Sequence, residues 1–196
     1  MSIGVDEAGR GCLFGPVVAC AIYVKSNKEL KPPISVKSWD SKKISENKRN
    51  LLYDYIYKYA DKVEVGIVDS KTIDKINILK STMLAMHNAI DKIHEPIDII
   101  YVDGNYFDNY IRNNEIIAHE CIVKGDSHNI LIGMASIVAK VTRDRLIYNM
   151  CDSNPELNKY NLKKNKGYGT KIHIEKLLEF GSSEFHRCSY SRVPNY

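Results

Sequence analysis

Short β-branched runs alternate along this chain with longer stretches of helical spacing. Val17–Val24, Val63–Val68 and Ile97–Val102 are brief, apolar and bounded by turn or charged residues, which predicts strands. Ile116–Val123 carries a weaker form of the same signal, and Ile3-Gly4-Val5 opens the chain as a short strand ending at Asp6-Glu7. Ser45–Ala60 has Leu51, Leu52, Tyr55, Ile56 and Tyr59 at helical spacing behind Ser45 as an N-cap, although tyrosines at 53, 55, 57 and 59 also suit a strand. Thr72–Ile93 predicts a longer helix with Ile76, Leu79, Met83, Met86 and Ile90 on one side. Asn129–Met150 predicts another, presenting Leu131, Met134, Ile137, Val138, Val141 and Leu146. Beyond Asp152, polar residues and Gly167-Tyr168-Gly169 lead to a helix near Lys171–Phe180. The segment Lys25–Asp40, with Pro32-Pro33 and several lysines, is expected to be an exposed loop. The pattern implies an α/β fold: a mixed sheet with helices and a helical carboxyl-terminal part.

Composition narrows this little. At 196 residues the chain fits one domain, or one with a small appendage, and can bury a real core. A hydrophobic fraction of 44% and a charged fraction of 27% are those of an ordinary globular protein. The net charge of +4 and pI near 8.7 allow a polyanionic partner without requiring one. Five scattered cysteines with no CxxC pair suggest neither a disulfide framework nor a zinc site. With no secretory signal and no bilayer-length apolar run, an intracellular, cytoplasmic protein away from membranes is expected.

The chemistry lies in the acids. Asp6 and Glu7 end the first strand before a glycine-rich turn, and Asp103 ends Ile99-Ile100-Tyr101-Val102 before Gly104-Asn105. Asp126 sits between a strand and a strong helix. Alone, Asp103 equally suits a turn and Asp126 a helix cap. Adjacent strand residues face opposite ways, so Asp6 and Glu7 share a site only where the strand ends or bulges. Gathered together, such acids would repel and raise one another's pKa unless a divalent cation neutralised them. Oxygen-only ligands suit Mg²⁺ or Mn²⁺, and one or two such ions can drive in-line phosphodiester hydrolysis.

Val5-Asp6-Glu7-Ala8-Gly9-Arg10-Gly11, then Leu13 and Gly15-Pro16-Val17-Val18, resembles the opening signature of ribonuclease HII, the type 2 ribonuclease H. The likeness continues through 40–45, 102–105, 124–126, 135–144, 167–170 and His186-Arg187, in family order, from about Gly4 to Tyr190. It implies a ribonuclease H-like mixed sheet flanked by helices, with a catalytic domain over 1–150 and a helical region over 151–196 that packs on it and contributes to substrate binding. It implies an endoribonuclease that cuts the RNA strand of RNA–DNA hybrids and the 5′ side of single ribonucleotides in duplex DNA, leaving 3′-hydroxyl and 5′-phosphate ends. Asp6, Glu7, Asp103 and Asp126 would be the catalytic metal ligands, with two ions when substrate is bound.

The same resemblance gives substrate-binding roles to Gly9, Arg10, Gly11, Lys42, Lys43, Ser136 and Tyr168. Glycines let the backbone approach a ribose whose 2′-OH both donates and accepts, and Arg10 can fork onto a phosphate. Tyr168 would pack beside the scissile position. Which of Lys42 and Lys43 meets phosphate stays open. Ser136, Lys140 and Asp144 share a helix face, with Asp144 a supporting residue and a weaker alternative to Asp126 as ligand. His173, His186 and Arg187 are expected to pack or to meet phosphate rather than to catalyse. Cys12 replaces the family's usual proline, Phe14 a small residue, and Gly133-Met134 stands where alanine is more usual. The enzyme is expected to act as a monomer without a clamp-binding tail. The competing readings are another ribonuclease H-like nuclease, such as a proofreading exonuclease, or a catalytically inactive nucleic-acid-binding relative. Those exonucleases separate their first acids by one position, whereas Asp6 and Glu7 are adjacent.

Overall fold

Strands β1 (Ser2–Ala8), β2 (Val17–Tyr23), β3 (Lys62–Val68) and β4 (Ile99–Asp103) form one sheet with a later strand. Strands β5 (Ile111–Arg112) and β6 (Glu115–Ile116) form a separate small hairpin, and β7 (Ala118–Ile122) completes the five-stranded order β3-β2-β1-β4-β7. The computed structural model describes residues 1–25, 28–36 and 39–194. The sheet is mixed: β2 pairs antiparallel with β1 and β3, whereas β1, β4 and β7 run parallel. The α/β architecture expected from the alternation is the one observed. The expected loop over 25–40 includes positions 26–27 and 37–38, and the expected tail-free end includes 195–196; those positions lie outside the described residues.

Period-two patterning sorts β1 between two cores. Ile3 and Val5 join the cluster that holds Met86 and Ile90, and Ala8 joins the opposite one. Gly4 sits where a Cβ would lie 2.4 Å from Leu131, so only glycine lets the neighbouring helix come this close.

Helix α1 (Glu46–Tyr59) resolves the tyrosine ambiguity. Tyr53 meets Tyr57 at 4.8 Å and Tyr55 meets Tyr59 at 5.3 Å, which are the i,i+4 rows of a helix. Helix α2 (Ser70–Ile90) breaks at Asn77, where φ is 68° and Asn77 Oδ1 accepts from the Lys80 N–H at 3.1 Å. Leu79, expected on the buried side with Met83, Met86 and Ile90, lies in the first turn after the break and is 43% exposed. The weak strand expected over 116–123 is divided: Ile116 ends β6, Ile117 donates its N–H to the Tyr110 carbonyl, and β7 begins at Ala118.

After the short helix α3 (Gly125–His128), α4 (Ile130–Ser153) starts on Asn129, whose side chain accepts from the N–H groups of Leu131 and Ile132. Residues 132–139 of α4 are buried without a gap, as expected of a central helix apolar all round. It packs on β1 and β2 and runs through position 150 to Ser153. A 3₁₀ turn (Pro155–Tyr160), α5 (Leu162–Asn165) and α6 (Lys171–Phe180) follow. Leu157, Tyr160, Leu162 and Leu177 close around Leu13, Phe14 and Ile147, tying the carboxyl-terminal helices to the turn after β1. Among the described residues no helix is long and apolar enough to cross a membrane.

Candidate active site

Pairing between β1 and β4 stops at Val5–Val102. The next residues are Asp6 and Asp103, so two carboxylates stand past the last paired rung of neighbouring parallel strands, which run about 4.8 Å apart. Asp103 is opposite Ile122, the last residue of β7, and its Oδ1 accepts the Gly125 N–H at 2.7 Å. Lys124 at φ 57° turns the chain there and delivers Asp126 into the first turn of α3. β4 thus ends in an acid and β7 leads directly to one, while β1, expected to end at Asp6-Glu7, runs on to Ala8 with both acids paired to β2. The acids lie at the carboxyl-terminal edge of the parallel strands, where open α/β folds place ligands.

The acids strain one another. Burial, then the charges of Glu7 and Asp103, raises the Asp6 pKa well above the carboxylate range, against bonds from Ser136 and the Glu7 N–H. Burial and the Asp103 charge raise Glu7, opposed by Arg10, whose Nη1 lies 3.5 Å from Glu7 Oε1. Asp126 is raised by burial and by the charges of Asp103 and Asp40.

Asp40 was not among the expected site residues. Its carboxyl shares a hydrogen bond with Asp126, Lys43 Nζ lies 3.0 Å away, and its Oδ1 accepts the Lys42 N–H at 3.0 Å. Burial pushes Asp40 up, but Lys43 and that N–H outweigh it and hold the group below its usual value. Its only local signal is the Asp-Ser-Lys-Lys run, in which it caps the 3₁₀ turn Ser41–Lys43. Lys43 also reaches Ser127 Oγ at 3.3 Å, while the charge of Lys42 is felt by Asp126; both side chains are exposed. Ser136 lies beneath the site rather than on its surface. It is buried, bonds Asp6, and its hydroxyl is 2.9 Å from that of Ser41.

Gly9-Arg10-Gly11 leaves β1 directly above this edge. Gly9 has φ 99°, and a Cβ on it would lie 2.1 Å from Arg143 Nε; Gly11 has nothing within 4 Å of its Cβ position. One glycine is therefore fixed by packing while the other faces open space. The next residue, Cys12, forms a β-bridge with Tyr168, and the Leu13 N–H donates to the Gly167 carbonyl at 2.8 Å, joining the two glycine turns. Tyr168 is 41% exposed, Lys140 Nζ lies 5.3 Å from its ring centroid, and burial with the charges of Cys12 and Asp144 pushes its hydroxyl up to about 12.

Two fully buried arginines hold this junction. Arg143 donates to the carbonyls of Phe14, Pro16 and Lys166 at 2.8–2.9 Å. Arg187 donates to the carbonyls of Gly15 and Arg10 at 3.0 Å, and the Tyr190 hydroxyl adds a bond to Arg10. Buried arginines are rare, and nothing in their sequence spacing announces these contacts, four of the five across more than a hundred residues. Asp144 pairs with Lys140 at 2.7 Å and is coupled to Tyr168 rather than to the acids at the strand ends.

Among the described residues no three His, Cys, Asp or Glu side chains are already gathered as a metal-holding cluster. Bare carboxylates repel, so a closed cluster is not their low-energy arrangement. Their oxygen-only donor set nevertheless suits a hard divalent ion.

A mixed sheet of this order, flanked by helices, is the ribonuclease H-like fold. The crystal structure of the ribonuclease H2 from Pyrococcus horikoshii OT3 matches it with TM-score 0.74 at 26% identity, over 98% of this chain and 94% of that one. Bst-RNase HIII in complex with Mn²⁺ shares the fold at TM-score 0.73 and 17% identity, over 98% and 67% of the two chains. The Ribonuclease HII of Trichodesmium erythraeum is 43% identical over 191 residues, 97% of this chain and 87% of that one. The family model for ribonuclease HII matches residues 3–193, and the chain belongs to that family. It is a ribonuclease H enzyme, of a family acting on RNA–DNA substrates.

Proposed function

We propose that the chain cleaves the RNA strand of RNA–DNA hybrids and the 5′ side of single ribonucleotides in duplex DNA, leaving 3′-hydroxyl and 5′-phosphate ends, with Asp6, Glu7, Asp103 and Asp126 holding divalent cations. The observation that carries this reading is the meeting of two features: acids along the carboxyl-terminal edge of three parallel strands, and an open glycine turn bridged to Tyr168 beside them. Mg²⁺ or Mn²⁺, two ions with substrate bound, would supply an activated water and offset charge on the leaving oxygen. Oxygen-only donors fit that class of ion, and the Bst-RNase HIII structure is described with Mn²⁺.

The chain's own residues supply the rest. Ser136 and the Glu7 N–H fix the Asp6 carboxylate from below. Open space at Gly11 lets backbone groups approach a ribose 2′-OH, which a deoxyribose cannot match. Arg10 at the rim, together with Lys42 and Lys43, meets backbone phosphate, Lys42 with the freer ammonium because Lys43 is held by Asp40. Tyr168 packs on the sugar beside the cut. Residues 1–150 form the catalytic domain, and 151–196 bind the duplex flank and hold Tyr168 in place.

The test is a panel of three duplexes, with one embedded ribonucleotide, a long hybrid strand or all DNA, each with Mg²⁺ and with Mn²⁺. The reading expects cleavage of the first two, 5′ to the lone ribonucleotide in the first, and an intact third. Comparable cleavage of all-DNA would refute it.

A further inference from the structure

Two histidines in the carboxyl-terminal part take no part in the chemistry above. His173, on α6, and His186, beyond it, are 0% and 1% exposed, and their Nε2 atoms are 3.1 Å apart. Such a pair is a hydrogen bond only if one nitrogen carries a proton and the other a lone pair. The neighbours decide which. The Ser183 N–H, which can only donate, lies 2.9 Å from His186 Nδ1, so that nitrogen offers its lone pair and the ring proton sits on Nε2. His186 Nε2–H therefore donates to His173 Nε2. The remaining proton of His173 is on Nδ1, 2.9 Å from the Tyr168 carbonyl, which can only accept.

One proton arrangement satisfies all three bonds, and both rings are neutral in it. An added proton would set N–H against N–H. Burial holds both rings below the usual imidazole range, His186 at about 3, with His173 adding to the effect there. Phe14 and Tyr160 pack edge-on against His186 at 5.0 and 4.7 Å, closing the relay from water, where its bonds are strongest. The relay ends on the backbone of Tyr168, whose carbonyl also accepts the Thr170 N–H at 2.8 Å and whose N–H reaches the Asn165 carbonyl.

We infer that His173 is a positioning residue for substrate discrimination: its Nδ1–H, set in that tautomer by the bonds running from Ser183 through His186, holds the Tyr168 carbonyl and fixes the turn that presents Tyr168 to the ribonucleotide–DNA junction. The inference rests on Tyr168 as a substrate reader. Packing alone would not need it, since two apolar rings could fill the space while leaving the Ser183 N–H and the Tyr168 carbonyl without these partners.

The experiment compares kcat/KM on a single-ribonucleotide duplex with that on a long hybrid, for wild type, Tyr168→Ala, His173→Asn and His173→Gln. Asparagine keeps an N–H where Nδ1 meets Tyr168; glutamine places its amide at Nε2 and removes that donor. Loss of one stacking contact corresponds to roughly a tenfold fall in the ratio of the two rates. Tyr168→Ala and His173→Gln are expected to show it, with His173→Asn within about twofold of wild type. A low ratio for Tyr168→Ala with a normal one for His173→Gln overturns the relay and leaves the reader standing. Equal loss in both His173 variants also overturns it, as a packing effect. A normal ratio for Tyr168→Ala overturns the reader, and the relay's role with it. Should a variant not fold, imidazole ¹⁵N spectra of the wild type decide: the relay requires His173 protonated on Nδ1 and His186 on Nε2, and either opposite tautomer overturns it.

Discussion

Around Asp6, Asp103 and Asp126 the protein gathers negative charge that it does not itself neutralise; around Phe14 and Tyr168 it buries polar groups and gives nearly all of them partners. At the acid edge, burial and neighbouring charge raise Asp6, Glu7 and Asp126. At the clamp, Arg143 and Arg187 serve five backbone carbonyls between them and the histidines complete their own chain, with Arg187 Nη2 a buried nitrogen left without a partner. The contrast separates two tasks. The edge is shaped for positive charge brought from outside, whereas the clamp holds its shape before substrate arrives, so little ordering of the reader is left to binding.

Substitutions should break the two regions differently. Asp103→Asn, which can still accept the Gly125 N–H, is expected to cost several kcal/mol of transition-state stabilisation, about a thousandfold in rate, without lowering the melting temperature. Near-normal single-turnover rates would remove Asp103 from the ligand set. Arg143→Met strands three carbonyls and is expected to cost about 3 kcal/mol, or roughly 10 °C by thermal melting. A drop of only a degree or two would show that the clamp does not depend on it.

The two glycines sharpen the same comparison. Gly9→Ala meets Arg143 at a positive φ and is expected to cost about 1–3 kcal/mol. Gly11→Ala has room, so its melting should stay within about 0.5 kcal/mol of wild type while single-ribonucleotide cleavage falls. Equal melting of the two variants would contradict the assignment of one to packing and the other to substrate.

Acid should act on the two regions with opposite sign. Asp6, Glu7 and Asp126 have raised pKa values in the folded state, so their contribution is fully present below the unfolded value and is lost as pH rises through the folded one. His186 is depressed to about 3, so its contribution is present above the unfolded imidazole value and is lost as pH falls toward 3. In metal-free protein, Asp6→Asn should therefore gain less stability than wild type as pH falls from neutral into the acid range. Identical melting-versus-pH curves would show that Asp6 carries no such strain.

Local pattern made much of this legible. The helix over Lys171–Phe180 and the acids following strand-like runs could be read because period, caps and turn residues lie within a few positions of one another. Leu79 is exposed although it keeps helical spacing with Met83 and Met86, because it sits in the first turn after a break at Asn77 that no glycine or proline marks. The strand over 116–123 was too long because nothing local shows that Ile117 bonds Tyr110 instead of continuing a ladder. Asp40, Arg143, Arg187 and the histidine relay were hidden for a different reason. Most carbonyl partners of the two arginines, and Asp126 for Asp40, are distant in sequence; the histidines lie near theirs, but a ring in a sequence does not say which way it will bond, nor a charge that it will be buried.

The most direct test of the account is thermal melting of wild type and Asp6→Asn in EDTA and again in excess Mn²⁺. The account predicts that Mn²⁺ raises the wild-type melting temperature, that Asp6→Asn melts no lower than wild type in EDTA, and that most of the Mn²⁺ gain disappears in the variant. No Mn²⁺ shift in wild type, or an equal shift in both proteins, would contradict it.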